Sequence, residues 1–261
     1  MTKKNTCFNG STGSLGSFMP KNKNLIPCFA RSHDSDHKIG FEIEHSNAHA
    51  FIHMAAMTDV RQCEKFPEKA REINVEFPLR VLKQAIKNEV QRFIFISSSH
   101  VYKPTNSLVK IKNSEKPNPQ NTYGRSKLEG ERELSDYCKK IKFKGLVIVR
   151  LFSLLSNNGR ENFLLQSIEE RAINKDFSYM PGIENVRDFI WADKACNQIL
   201  EITSANNPPG IINLCSGKGR KVKSLVKEVF DLNKIETQTI FKNSTSDIKP
   251  NYLVGWPTLN P

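Results

Sequence analysis

Cys7-Phe8-Asn9-Gly10-Ser11-Thr12-Gly13-Ser14-Leu15-Gly16 decides how the chain begins to fold, because a short apolar run enters a bend with three glycines at intervals of three. In a strand-to-helix turn of this kind the first glycine permits a tight bend. The second lets a phosphate approach the backbone, and the third lets helix and strand pack closely. Further β-rich runs stand at Leu25 to Phe29, Phe51 to Met54, Phe93 to Ser97 and Leu146 to Leu151, separated by amphipathic segments. That alternation is the rhythm of βαβ units and predicts a parallel sheet. Glu68 to Lys87 places Ala70, Ile73, Phe77, Val81, Leu82 and Ile86 at mostly helical spacing, with Pro78 as a kink or break. Ser126 to Lys140 continues as a second helix carrying Leu128 and Leu134, with Glu129, Glu131 and Glu133 among its polar positions.

The chemistry is concentrated in Tyr123-Gly124-Arg125-Ser126-Lys127, downstream of Ser97-Ser98-Ser99. A Tyr and a Lys four apart lie on one helical face. An ammonium beside a phenol lowers its pKa from about 10 and makes it a usable proton donor. A nearby Ser hydroxyl can bind the same substrate oxygen. The pattern predicts a hydride-transfer site acting on a carbonyl.

With five further segments in order, these residues resemble the extended short-chain dehydrogenase/reductase family, the branch of sugar-nucleotide epimerases, dehydratases and reductases. Phe51 to Ala56 resembles the family strand ending in His-x-Ala-Ala, Phe93 to Tyr102 the strand with the catalytic Ser or Thr, and Val149 to Phe152 the strand after it. Val186 to Asp193 resembles the Arg-Asp-Phe-Ile-x-x-x-Asp segment, and Ile212 to Gly217 the Tyr-Asn-x-Gly-x-Gly strand. The resemblance implies an α/β fold: a Rossmann-type doubly wound parallel sheet over residues 1–153, and a smaller C-terminal substrate-binding lobe over 154–261 whose later segments return to the main sheet. It implies catalysis by Ser98, Tyr123 and Lys127, with Ser98 preferred to its neighbours because it lies three before Val101. A dinucleotide is expected on Gly10, Thr12, Gly13, Ser14, Leu15, Gly16, Arg31, Ala55, Ala56, Tyr123 and Lys127, and a nucleotide-diphosphate sugar on Ser98 and Arg187. The resemblance also implies a homodimer through the helix carrying Tyr123 and Lys127.

Departures from the family pattern refine these expectations. Dehydratases follow the catalytic Thr with Asp-Glu, whereas this chain has Ser99-His100, so the expected chemistry is 4-keto reduction. Epimerisation, or a catalytically degenerate homologue that only binds dinucleotide, is the alternative. His100 is read as a capping or packing residue. After the second strand, Arg31-Ser32 suits a 2′-phosphate and predicts NADP, while Asp34 keeps NAD as the alternative. Arg187 has Asp188 as a competing salt-bridge partner. Ser153 stands where many relatives have an Asn, with Asn158, Arg160 and Asn162 as candidates to compensate. Gly16 to Leu25 leaves room for barely two helical turns, interrupted by Pro20; Arg31 to Ala50 is compressed, and no closing helix follows Gly255-Trp256-Pro257. The first-turn amides are nonetheless expected to hold pyrophosphate.

The 261 residues suffice for one sizeable core and a small lobe. No apolar run reaches the roughly 18 to 20 residues needed to span a bilayer, and the amino terminus lacks a signal-peptide pattern, so a cytoplasmic protein is expected. The six cysteines are scattered without metal-type spacing, which predicts reduced thiols and no metal site. A net charge of +12 comes from lysines dispersed in Lys-Asn-rich stretches, read as a solvated face and not as a nucleic-acid surface.

Overall fold

A computed structural model of the chain describes residues 4–157, 164–178, 180–235 and 249–259. Its first half runs β1 (Asn5–Asn9), β2 (Leu25–Pro27), α1 (Asp36–Ser46), β3 (Ala48–His53), α2 (Val60–Lys65), α3 (Pro67–Arg71), α4 (Phe77–Lys87), β4 (Arg92–Ser98), β5 (Lys110–Ile111) and α5 (Thr122–Ile141). The second half runs β6 (Leu146–Leu151), β7 (Ser153–Leu155), α6 (Leu164–Ile173), β8 (Val186–Trp191), α7 (Ala192–Ser204), β9 (Ile211–Leu214), β10 (Gly219–Lys221), α8 (Val222–Leu232) and β11 (Tyr252–Gly255).

Six parallel strands form the main sheet in the order β2-β1-β3-β4-β6-β9, so the chain reverses direction across the sheet between β1 and β3. In open sheets of this kind ligands sit outside the carboxyl ends of the strands at such a reversal. The sequence of β4 shows why its strand is central: Phe93 and Phe95 alternate with Ile94 and Ile96, and every one is buried. The phenylalanines join one core with Phe51, Ile39, Val81 and Leu134, under α1, α4 and α5. The isoleucines join the opposite core with Ile52, Val149, Cys196 and Ile199, under α7. Burial on both faces is what a continuous apolar strand demands.

Two helical expectations change in the structure. Between β1 and β2 there is no α-helix, only a 3₁₀ turn at Gly16–Phe18. The sheet face that it leaves is covered by Leu15 and Met19 packing with α7. A first-turn dipole therefore does not exist at the glycine bend, because one turn aligns too few peptides to build it. At Pro78, by contrast, the helical path does not break. It widens to a single π turn over Glu72–Glu76 and continues as α4, with Pro78 in the first turn of α4.

A second sheet, β10-β8-β11-β5 with β7 paired to β8, carries α6 and α8 and a core of its own around Ile168, Leu225 and Phe230. It takes β5 from before residue 153, and the main sheet takes β9 from after it.

Candidate active site

Asn9 organises the glycine bend. Its Oδ1 accepts from the amides of Met54 at 2.9 Å and Ala55 at 3.0 Å, and its Nδ2 donates to His53 Nδ1 at 2.9 Å. This ties the carboxyl ends of β1 and β3 together. Burial holds the His53 imidazole well below its usual range and hence neutral. Gly10 follows at φ +72°, and a Cβ there would lie 2.8 Å from the Ala55 amide nitrogen, so only glycine fits. A Cβ on Gly16 would run into the Gly10 carbonyl. Ser14 Oγ is buried in this bend without a hydrogen-bond partner among the described residues.

The bend opens into a cleft of about 960 Å³. Of the residues expected to bind dinucleotide, Gly10, Thr12, Gly13, Ser14, Leu15, Gly16, Arg31, Ala55, Ala56 and Tyr123 line it. Ser98 and Ser153 line it as well, whereas Lys127 and Arg187 do not.

At the reacting end, Asn121 caps α5 by accepting from the Gly124 amide at 2.7 Å, which places Tyr123 in the first turn and buries it. A Cβ on Gly124 would strike the His100 carbonyl, so this glycine is what lets the helix start so close to the end of β4. Tyr123 and Ser98 line the same wall of the cleft. Burial pushes the phenol up to about 12, against the smaller lowering effect of Ser98. The expected depression by Lys127 is not found. Burial draws the Lys127 amine down to about 7, so it is only about half charged at neutral pH, although Glu131 opposes the shift. Lys127 Nζ lies 4.0 Å from the centre of the Phe95 ring and has no hydrogen-bond partner among the described residues.

Glu131, one further turn along the same face, is buried and not among the solvated positions of α5. It accepts from Ser97 Oγ at 2.5 Å and from Arg150 at 2.7 Å, both partners buried. Arg150 also donates to the Tyr102 hydroxyl at 2.7 Å, and that hydroxyl donates to Asn213 Oδ1 at 2.8 Å. One network thus fastens the face of α5 that bears Tyr123 and Lys127 to β4, β6 and β9. Asn74, in the π turn, adds a bond from its Nδ2 to Ser126 Oγ at 2.9 Å.

At the far end of the cleft, Asp34 is already engaged: it accepts from the Arg31 amide at 2.7 Å and pairs with Lys38 at 2.9 Å. Those bonds hold its carboxyl below the usual range. Arg80 gathers the loop by donating to the Ser32 carbonyl at 2.7 Å and to Asp36 at 2.6 Å, which leaves Arg31 and Ser32 on the cleft wall.

Arg187 is not bridged to Asp188. Its guanidinium donates to the carbonyls of Val186 and Asn251, and burial lowers it to about 10. Asp188 accepts instead from Ser216 and from the amides of Gly217 and Gly255. Asn158, Arg160 and Asn162 lie outside the described residues. Among the described residues no group of three His, Cys, Asp or Glu could hold a metal ion, and no helix is long and apolar enough to cross a membrane. Asn9 and Arg80 were not singled out in the sequence, since each acts on a residue that only the fold brings close; Asn121 was missed although an Asn at the start of a helix is a local capping signal.

A glycine cradle open to a diphosphate, with buried Ser14 and Lys127 groups awaiting partners, fits a dinucleotide bound at the carboxyl ends of the strands. Fold and cleft together define a dinucleotide-binding α/β protein of the Rossmann type. The sequence pattern of the NAD dependent epimerase/dehydratase family matches residues 21–215, and the chain belongs to that family. It is 24% identical over 200 residues to GDP-6-deoxy-D-mannose reductase of Pseudomonas aeruginosa, spanning 73% of this chain and 65% of that relative. It is 24% identical over 231 residues to a putative UDP-glucose 4-epimerase of Methanocaldococcus jannaschii, covering 87% of this chain and 72% of that one. The fold matches dTDP-4-dehydrorhamnose reductase from Bacillus anthracis in complex with NADP, with a TM-score of 0.80, 17% identity and coverage of 99% and 91% of the two chains. It also matches Thermus thermophilus UDP-glucose 4-epimerase in complex with NAD, with a TM-score of 0.81, 16% identity and coverage of 97% and 90%.

Proposed function

We propose that this chain is an NAD(P)-dependent oxidoreductase that reduces the 4-keto group of a nucleotide-linked sugar by hydride transfer. The observation that carries the reading is that Tyr123 and Ser98 line one wall of the cleft, with the partnerless Lys127 amine one helical turn from the phenol. When bound, the dinucleotide supplies the hydride. Ser98 orients the carbonyl oxygen, and Tyr123 gives that oxygen its proton as negative charge builds on it. A phenol held near 12 is fully protonated at neutral pH, which is the form a reduction consumes. Lys127 Nζ donates to the nicotinamide ribose and offsets the phenolate left behind. Arg187 serves the substrate diphosphate.

NADP is the proposed carrier. Arg31 and Ser32 face the cleft while Asp34, the group suited to a ribose hydroxyl, is spent on its own loop. We place the activity in the cytoplasm, where the six buried thiols stay reduced. Self-association through α5 is proposed too; its exposed residues Arg125, Arg132, Glu133, Asp136 and Lys139 make it a charge-paired contact.

The test is turnover of NADPH by the purified protein with UDP-, GDP- and dTDP-linked 4-keto sugars. Net oxidation, lost in Tyr123→Phe with the circular dichroism unchanged, is the expected result; full activity in that variant overturns the assignment. Epimerisation uses the same residues and instead gives isomers without net oxidation. The missing helix between β1 and β2 favours a second reading, a degenerate homologue that holds dinucleotide without turnover. Calorimetric binding of NADPH with no consumption across the sugar panel would select it.

A further inference from the structure

His100 is held by a neighbour whose own orientation is fixed. Asn121 Oδ1 is committed to the Gly124 amide at 2.7 Å as the cap of α5. The amide nitrogen, which can only donate, therefore faces His100 Nδ1 at 3.0 Å. Nδ1 must present its lone pair, and the neutral ring carries its proton on Nε2. Protonating Nδ1 would set one N–H against another. Burial, and after it the positive charge of Arg187, also hold this imidazole below its usual range. The ring packs edge-on against Tyr123, with centroids 5.4 Å apart, and lines the cleft. Nε2 has no hydrogen-bond partner among the described residues. Nor is the side chain needed to close the strand end, because the His100 backbone amide already donates to Ser98 Oγ at 3.2 Å.

We propose that His100 is a permanently neutral hydrogen-bond donor that reads a sugar oxygen next to the carbonyl addressed by Tyr123 and Ser98, and thereby selects which sugars the site accepts. The ligand's identity rests on the nucleotide-sugar reading above; the tautomer does not. A ring locked in this form is no general base, since Nε2 carries the proton and the Nδ1 lone pair is engaged. It rewards an acceptor, such as a hydroxyl or carbonyl oxygen, and leaves an unpaired N–H against a deoxygenated carbon. The titratable groups facing the ring are Tyr123 from α5 and Arg187 from β8, placed at about 12 and about 10, so neither changes charge near neutrality.

The first measurement is long-range proton–nitrogen correlation on protein labelled in its six histidines, with His100 assigned from the His100→Gln spectrum. The Nε2–H form is expected unchanged from about pH 6 to about pH 8. An Nδ1–H form, or an imidazolium at neutrality, overturns the proposal. The second is calorimetric titration with UDP-glucose and dTDP-glucose in saturating NADP. His100→Ala should weaken binding about tenfold and His100→Gln, which keeps a donor, no more than about threefold. Asn121→Asp preserves the helix cap but demands a proton on Nδ1, so in the same proton–nitrogen spectra the ring should turn to the Nδ1–H form or the imidazolium. Unchanged affinity in the Ala variant sinks the donor role. Failure of the unaltered protein to bind either probe or GDP-mannose defeats the nucleotide-sugar reading and the assigned acceptor together, a result distinct from any change of tautomer.

Discussion

Lys127 is enclosed against Phe95 with no hydrogen-bond partner among the described residues, and burial lowers its amine from 10.5 to about 7. The folded value lies below the unfolded one, so the unfolded chain binds more protons between about pH 7 and 10.5, and stability rises with pH through that window. The cost is full below about pH 7 and gone above 10.5. At ~1.4 kcal/mol per unit it is on the order of 5 kcal/mol. Lys127→Met should therefore raise the urea midpoint at neutral pH and flatten its rise toward pH 10, while abolishing turnover; an unchanged midpoint would contradict the burial argument. Arg31→Ala should raise the KM for NADPH about tenfold and leave that for NADH unchanged, measured by initial rates. Tyr123, Lys127 and Ser98 were legible because their types and spacing carry the chemistry locally. Asn9 and Arg80 were not: they bond across 44 and 48 residues, and an Asn or an Arg has no spacing that announces this.

The elements were legible where periodicity is strong. The alternating faces of β4 and the run that became α3, the π turn and α4 follow from the order of apolar residues. Glu131 was misplaced because helical spacing says which face a residue shares but not whether a buried cation waits there, and Arg150 comes from a strand 19 residues on. Glu131→Gln would leave that guanidinium buried and unneutralised, a loss of about 3–5 kcal/mol in chemical denaturation. It should also lower the Lys127 pKa further, because Glu131 is the group now holding it up. Gly124→Ala tests the junction of α5 with the end of β4. Its methyl must displace the His100 carbonyl, so a loss of about 1–3 kcal/mol is expected together with reduced kcat.

Across the whole molecule, the parallel sheet was legible as a βαβ rhythm and a later segment was expected to return to it, but the pairing of β5 with β11 was not legible, since they meet from positions 110 and 254. A ligand that binds only the folded chain stabilises it by about 2.7 kcal/mol at a hundred times its Kd. Thermal melts should therefore rise with NADP, and by less with NAD at equal concentration. A charge-paired contact across α5 predicts that any dimer seen by sedimentation at low salt dissociates as salt is raised.

The glycine bend has no helix of its own behind it. Cys196 in α7 donates its thiol to the Leu15 carbonyl at 3.3 Å across 181 positions, and α7 packs on Leu15 and Met19. A ribosome making this chain must therefore finish some two hundred residues before the first ten can grip a nucleotide. Nascent fragments ending ahead of Ala192 should pass through a column of immobilised NADP unretained.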